Sequence, residues 1–261
     1  MHQRIIDCET EYYKCFSTAV EEADVIRFRD PLLPDMYYHN FTYIRCSADP
    51  AAAVGRIEKE IDLRRGEEAG FCNILSGLAI GAGQLKDIAY PVSLSTNGFY
   101  LFDKAYLLQM KAPPHCNIRR VDSQAMVEDA LYSDLQHDEK RLGRDFCERR
   151  CLRRGKVYVQ DGGVDSYNCY DNGSIVGNCD LFMHKGVAKI EDFTVIPKYQ
   201  RKGYGTTILK HLIQTALDAD CDTIYLVTDE EDTPKDMYVR LGFSKIGERT
   251  DLFFDLAENK A

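Results

Sequence analysis

The sequence has no apolar run long enough to cross a membrane, and its opening residues, Met1 to Asp7, do not lead into an apolar segment. A membrane-spanning helix needs about 20 predominantly apolar residues, and a signal peptide needs an apolar stretch of about 7 to 15 residues. The sequence therefore predicts neither a membrane-spanning helix nor a signal peptide for export. We therefore expect a cytoplasmic protein without a membrane partner.

Ten cysteines are present, but their spacing is not typical of a disulfide framework. In a chain of 261 residues this favours reduced and mostly buried thiols. Cys147 and Cys151 lie four positions apart on a predicted helix, where two thiolates could bind zinc. No histidine or second cysteine pair lies nearby at ligand spacing, so the sequence predicts no metal site.

Positive charge is also in short supply, with 33 Lys and Arg against 42 Asp and Glu and a formal net charge of −9. Because phosphate contacts dominate nucleic-acid affinity, this balance argues against a nucleic-acid partner. One local exception is the cluster Arg149-Arg150-Cys151-Leu152-Arg153-Arg154, which ends a predicted helix. The cluster fits a recognition site or a solvated face that complements the helix dipole, and we favour the solvated face.

The two common nucleotide-binding loops are missing, since neither Gly-x-Gly-x-x-Gly nor Gly-Lys-Ser/Thr occurs. In their place, the segment 200–205 joins a strand-like run, ended by Pro197, to a run at 206–217 with apolar residues at helical spacing. The first turn of a helix offers backbone N–H groups that suit a pyrophosphate. Gly203 and Gly205 allow close approach of a ligand, while Arg201 and Lys202 add charge. An ordinary glycine-rich turn has the same spacing.

A second motif follows downstream. Residues 223–227 resemble a buried strand, residues 229–232 are all acidic, and a short helix-like run then carries Tyr238 and stops at Gly242-Phe243. The loop Gln200-x-x-Gly203-x-Gly205, preceded by Val195-x-Pro197, and this Tyr-to-Gly-Phe motif together resemble two signatures of the GNAT superfamily of N-acyltransferases. The resemblance covers about residues 117 to 256. It departs where the family often has Asn and Ala and this chain has Glu231 and Pro234, a difference that affects contacts to pantetheine.

The resemblance implies that acetyl-CoA is the cosubstrate. It assigns acyl-CoA binding to Val195, Gln200, Arg201, Lys202, Gly203, Tyr204, Gly205 and Thr206. It makes Tyr238 the acid that protonates the departing CoA thiolate. By strand alternation Glu191 shares a face with Val195, so Glu191, or Asp192 behind it, could accept the proton of an attacking amine. A surface carboxylate or a chain of water molecules fits the same pattern.

The order of the elements predicts a mixed α/β (α+β) fold that is GNAT-like in its C-terminal half, with a sheet that splays near Val195. Helices are expected at 10–23, 49–65, 123–136 and 139–154, and strands at 41–44, 70–74, 98–102, 118–121, 156–160, 164–170, 174–184 and 187–195. We predict domains at 1–112 and 116–261, joined by Ala112-Pro113-Pro114, because consecutive prolines resist regular structure. The first domain is either a degenerate second acyltransferase-like unit or an unrelated lid.

These features predict an acetyl-CoA-dependent N-acetyltransferase in which a primary amine attacks the thioester directly in a ternary complex. One alternative is a noncatalytic acyl-CoA-binding sensor or regulatory protein, and another is a structural protein without CoA affinity. The acceptor amine is not identified. The acidic loop at 229–232 fits either the attraction of a cationic amine or a solvated turn, and a homodimer is an open alternative to a monomer.

Overall fold

A computed structural model describes residues 3–45, 50–111, 116–231 and 234–257. The helices are α1 (Gln3–Lys14), α2 (Pro50–Gly66), α3 (Gln124–Leu142), α4 (Arg144–Lys156), α5 (Tyr204–Asp218) and α6 (Pro234–Arg240). The strands are β1 (Thr18–Glu21), β2 (Val25–Arg29), β3 (Phe41–Ile44), β4 (Phe71–Ser76), β5 (Val92–Phe102), β6 (Asn117–Arg120), β7 (Asp165–Asp171), β8 (Ser174–His184), β9 (Val187–Val195), β10 (Thr223–Asp229) and β11 (Phe243–Asp255). The predicted mixed α/β fold is confirmed. No helix in these four ranges is long and apolar enough to cross a membrane.

The chain divides into two compact units. Unit 1 comprises Met1–Phe16, Phe99–Val227 and Thr233–Ile246, and unit 2 comprises Ser17–Gly98, Thr228–Asp232 and Gly247–Ala261. The proposed linker at 112–114 lies outside the described residues, so a division at 112–116 stays a prediction. Helix α1 falls in the same unit as α3 to α6, although it lies at the opposite end of the chain.

Unit 1 is built on a meander followed by a crossover. Strands β6, β7, β8 and β9 pair antiparallel in that order, and α5 then returns the chain to β10, which pairs parallel to β9. One apolar stripe of α5 packs on the sheet through Ile208, Leu209, Leu212, Ile213 and Ala216, and the same core includes Ile190 and Tyr238. Helices α1, α3 and α4 contact strands β8 and β9 through a different set of residues, which is rich in ionisable groups.

Unit 2 repeats this order of pairings. Strands β1, β2 and β3 form an antiparallel meander, α2 follows, and β4 pairs parallel to β3 and antiparallel to residues 250–255 of β11. Apolar residues of α2, including Ile57 and Ile61, pack with Ile74 and Phe254 in a core of their own. The shared topology favours the degenerate second unit over the unrelated lid. The connection at 45–50 has no Gln-x-x-Gly-x-Gly sequence, so the repeat lacks the sequence motif that precedes α5.

Several local predictions need correction. The first helix ends at Lys14 and Thr18 begins a strand, so the helix predicted over 10–23 is wrong over most of its length. The strand predicted at 156–160 is wrong as well, because α4 continues into a π-helical turn at Val157–Asp161, closed by the Gly162 N–H donating to the Val157 carbonyl. The alternating apolar residues suggested a strand there, but the turn buries Val157 and Tyr158 side by side.

Candidate functional site

A β-bulge interrupts β9 near its end. Asp180 of β8 pairs with Glu191, and Asn178 pairs with Thr194, so that Cys179 faces two residues of β9 rather than one. Asp192 takes up the extra length in a left-handed conformation, with φ of 53°. An added residue reverses the alternation of side chains beyond it. Phe193 and Val195 therefore join Ile190 against the core that includes α5.

The parallel ladder between β9 and β10 ends just before this bulge. It joins residues 187–190 to residues 223–226, and its last pair is Ile190 with Leu226. Strand β9 continues to Val195, so the backbone of residues 191–195 extends beyond the last recorded pair with β10. The recorded pairing of β9 with β10 thus ends five residues before Val195, the residue near which the sequence predicts a splay of the sheet.

The loop after β9 is anchored to the strand that it leaves. Gln200 Nε2 donates to the Val195 carbonyl over 3.0 Å, so this side chain folds back onto the loop. Arg201 has φ of 61° and Gly203 has φ of 91° and ψ of −7°, which makes two left-handed residues within three positions. Glycine adopts that conformation without strain, which explains its presence at position 203. The side chains of Arg201 and Lys202 are exposed.

Helix α5 begins with an open turn. Gly203 is its N-cap and no side chain caps the turn. Thr207 makes the first bonds back to Gly203, donating from both its N–H (3.1 Å) and its hydroxyl (3.2 Å) to the Gly203 carbonyl. The N–H groups of Tyr204, Gly205 and Thr206 precede those bonds. They point along the helix axis at its positive end, where an anion is favoured.

Tyr204 anchors the start of the helix to the β7–β8 turn. Its hydroxyl donates to Asp171 Oδ2 over 2.6 Å, and this bond to a carboxylate raises the pKa of Tyr204 to about 12. The phenol therefore stays a donor at any ordinary pH. The Tyr204 side chain is buried and meets Tyr199 edge to face at 5.8 Å, so it supports the loop rather than extending toward solvent.

Gly205 lies where three elements meet. A Cβ placed on it would be 3.2 Å from Phe193 Cζ and 3.6 Å from Met237 Sδ. The missing side chain thus permits close packing of α5, the bulged strand and α6, a role that the sequence-based interpretation assigned to ligand approach instead.

Tyr238 occupies the other side of this junction. It is a buried residue of α6 whose ring meets Phe193 at 6.3 Å and Phe243 at 5.9 Å, both edge to face. The bulge brings Phe193 to Tyr238, because without the extra residue Phe193 would face the opposite side of the strand. The structure thus gathers Val195, the α5 turn and Tyr238 along one face of β9.

Glu191 lies on the other face. Val195 pairs with Gly177 and Glu191 with Asp180, and residues three apart on β8 point to opposite faces. The prediction that Glu191 shares a face with Val195 is therefore wrong, because strand alternation does not hold across a bulge. Lys189 Nζ lies 2.9 Å from Glu191 Oε2 and 2.5 Å from Glu9 Oε1 of α1. The Glu191 side chain remains about one-third exposed, at 32%.

Two arginines of the α4 cluster are buried in ion pairs rather than solvated. Arg150 Nη2 donates to Asp134 over 3.1 Å and to Asp138 over 2.7 Å, and Arg150 and Arg154 are both buried. Arg154 binds Asp192 with one arm and Asp180 with the other. The favoured interpretation is wrong for these two residues. The partner carboxylates are distant in sequence, so no local pattern indicated them.

Other sequence candidates lie elsewhere or serve local structure. Cys147 is buried in α4, and the Cys151 thiol donates to the Val127 carbonyl over 3.3 Å. In the described part of the chain no three His, Cys, Asp or Glu side chains are grouped as a metal site. Asp229 accepts the Glu231 N–H over 2.8 Å, which closes a turn, and Asp232 lies outside the described residues.

A family model matches part of the chain. Residues 127–243 match the model of the Acetyltransferase (GNAT) family, and this range runs from α3 through α4, β7 to β10 and α5 to α6. This confirms the resemblance inferred from the two motifs and supports acyl transfer as the general activity.

Relatives cover both units. The chain is 27% identical over 227 residues to "Uncharacterized N-acetyltransferase CgeE" of Bacillus subtilis (strain 168), covering 84% of this chain and 85% of the relative. A functionally unknown conserved protein from Staphylococcus epidermidis ATCC 12228 is similar in structure, with a TM-score of 0.77 at 18% identity over 92% of this chain and 94% of that one. A GCN5-related N-acetyltransferase from Kribbella flavida has a TM-score of 0.68 at 15% identity, covering 98% of each chain. At these identities the two structures show a shared fold.

Proposed function

We propose that the protein is an acetyl-CoA-dependent N-acetyltransferase, in which a primary amine attacks the thioester directly in a ternary complex. The observation that carries this proposal is the open first turn of α5, which lies beside the stretch of β9 that has left its ladder with β10. An anionic cofactor that ends in an extended arm fits both features, because the turn accepts an anion and the strand offers backbone groups.

The residues at this turn fit CoA. The N–H groups of Tyr204, Gly205 and Thr206 would hold the pyrophosphate, and the exposed Arg201 and Lys202 would add charge. Gln200 would act indirectly, by fixing the loop through Val195. When bound, CoA supplies the acyl group as a reactive thioester. Backbone N–H groups near Val195 would orient it and stabilise negative charge on its carbonyl oxygen.

Tyr238 would hold the proton for the departing sulfur. Its ring is fixed edge to face against Phe193 and Phe243, so rotation of the ring plane is restricted. A phenol has a reference pKa of about 10, so a tyrosine is protonated at neutral pH and has a proton to donate as the thiolate leaves.

Glu191 would accept the proton of the attacking amine through water. It is the residue directly after Ile190, where the ladder with β10 ends, and its side chain is partly exposed on the face opposite Val195. The ammonium of Lys189 fixes its carboxylate in place. Unit 2, which lacks the Gln-x-x-Gly-x-Gly motif, would contribute to acceptor recognition or to dimerisation rather than to cofactor binding.

Mass spectrometry of a panel of primary amines incubated with acetyl-CoA and the protein tests this function. Wild type is expected to add an acetyl group to at least one amine. Tyr238→Phe keeps the ring contacts and should lower kcat by about 10- to 100-fold, a typical loss for general acid catalysis, with CoA affinity within twofold. Unchanged kcat would show that Tyr238 is not the acid. CoA binding with no acetylated amine would favour the sensor instead.

A further inference from the structure

A buried arginine forms an ion pair with the aspartate at the bulge in β9. Arg154 of α4 is 6% exposed, and its Nη1 donates to the carboxylate of Asp192, the left-handed residue of the bulge. Its Nη2 donates to Asp180 Oδ2 over 2.6 Å, and Asp180 is the β8 residue paired with Glu191 directly before the bulge. One guanidinium thus joins both strands at the point where their register shifts.

The guanidinium is itself held from several sides. Tyr158 donates its hydroxyl to the same Asp180 oxygen over 2.8 Å, and Arg154 Nη2 lies 3.4 Å from the Tyr12 hydroxyl of α1. The Arg154 carbon Cζ sits 5.5 Å from the ring centre of Phe16 and 5.8 Å from that of Tyr158. A planar fork between two carboxylates and two rings is a geometry that a lysine ammonium cannot reproduce.

The position of Asp192 determines what lies beside Tyr238. With the bulge, Phe193 reaches Tyr238 and Gly205, and the Asp192 carboxylate turns to Arg154. Without the bulge, alternation from Glu191 would place a carboxylate at the apolar face and remove Phe193 from it. The left-handed conformation of Asp192 costs free energy, and the ion pair with Arg154 offsets that cost.

We propose that Arg154 is a positioning residue for acyl transfer, which fixes the β9 bulge through Asp192 and Asp180 and so places Phe193 against Tyr238 and Val195 on the same face of β9. The proposal rests on the proposed function for its kinetic consequence and on the structure alone for its effect on β9. Arg154 acts through β9 and takes no direct part in bond making or proton transfer, since it contacts neither the α5 turn nor Tyr238 in the hydrogen bonds and ring contacts recorded for it.

The test compares Arg154→Lys, Asp192→Asn and Asp192→Gly with Arg27→Lys. Arg27 is a matched control, since it also binds two carboxylates, Glu22 and Glu60, each over 2.7 Å, but in unit 2. Asparagine and glycine both tolerate a left-handed backbone, and only asparagine can still bond to Arg154. Under conditions where every variant is folded, kcat should fall at least tenfold in Arg154→Lys and Asp192→Gly and less in Asp192→Asn, with CoA affinity within threefold. Arg27→Lys should keep the wild-type kcat.

Hydrogen exchange of the backbone amides at 191–195 provides a readout that needs no turnover. Exchange there should rise at least tenfold in Arg154→Lys and stay within twofold of wild type in Arg27→Lys. Unchanged exchange in Arg154→Lys would overturn the proposal, whether or not the protein transfers an acyl group. Faster exchange with an unchanged kcat in an active enzyme would also overturn it, because Arg154 would then be structural only. Wild type without transferase activity would refute the proposed function and leave the exchange result to decide whether Arg154 fixes the bulge.

Discussion

At the scale of single residues, Gly242 fixes the end of α6 and with it the position of Tyr238. Its φ is 94°, and its carbonyl accepts the Asp103 N–H over 2.9 Å. A Cβ at this position would lie 2.4 Å from Tyr106 Cβ and Cγ. Both the backbone conformation and the neighbouring side chain therefore require glycine after this helix.

Gly242→Ala is expected to lower the free energy of unfolding by about 2 to 4 kcal/mol, from left-handed strain of about 1 to 2 kcal/mol together with overpacking against Tyr106. Gly162 is the matched control, because it is left-handed, with φ of 66° and ψ of 19°, and nothing lies within 4 Å of an added Cβ. Gly162→Ala should lower the free energy of unfolding by the strain alone. Denaturant unfolding measures both, and equal losses would show that the Tyr106 contact has no effect.

Residue identities alone predicted the helix ends on either side of the candidate site. The start of α5 after Gly203 and the end of α6 before Gly242 were predictable because helix starts and stops depend on local chemistry, namely glycine at a left-handed position and apolar residues at helical spacing. Asp192 was ranked only as a second candidate base. Nothing in its neighbours indicates a bulge, because the register shift depends on pairing with Cys179 of another strand.

At the scale of elements, α4 and the bulged strand bury a network of charges in place of an apolar interface. Asp180 is the most enclosed member, facing Arg154, Asp192 and Tyr158. Burial, with a further contribution from the Asp192 carboxylate, raises the pKa of Asp180 to about 7 even though Arg154 opposes the shift.

This pKa predicts how stability depends on pH. An unfolded aspartate ionises near pH 3.9, so between about pH 4 and 7 the folded state binds more protons than the unfolded one. The contribution of Asp180 to the free energy of unfolding is fully present below about pH 4 and is lost as pH rises through about 7. The free energy of unfolding falls by at most about 1.4 kcal/mol per pH unit in this range.

Asp180→Asn removes the titrating group and keeps its size. Relative to this variant, wild type should lose stability steadily from about pH 4 to 7 and no further above, as measured by denaturant unfolding at several pH values. The Asp192→Asn variant controls for the neighbouring carboxylate. A difference between wild type and Asp180→Asn that is the same at every pH would contradict the raised pKa.

The bounds of several elements could be predicted from the sequence, and those of others could not. Strands β8 and β9 match their predicted ranges, because turn residues flank each of them. Helices α3 and α4 meet at Gly143 rather than near residue 137, and β1, β2 and β11 were not predicted. The burial of Arg150 and Arg154 depends on carboxylates of other elements, which a local charge pattern cannot reveal.

At the scale of the whole molecule, two units share one topology but only one carries the Gln-x-x-Gly-x-Gly motif. Each has an antiparallel meander, a helix and a parallel strand, and the helix of unit 1 alone follows a Gln-x-x-Gly-x-Gly sequence. No repeated motif in the sequence indicates this structural repeat, because the two units share the order of their elements and only one of them has the Gln-x-x-Gly-x-Gly sequence. The acyl-CoA site is therefore expected once per chain.

Binding of acetyl-CoA decides whether the open turn of α5 is an acyl-CoA site. A ligand at about 100 times its Kd stabilises the folded state by about 2.7 kcal/mol, so the thermal midpoint of wild type should rise clearly with millimolar acetyl-CoA or CoA. Gly203→Val, which cannot adopt the left-handed turn without strain, should show no such ligand-induced rise over its own unliganded midpoint. No shift in wild type, or an equal shift in Gly203→Val, would contradict the assignment of the site.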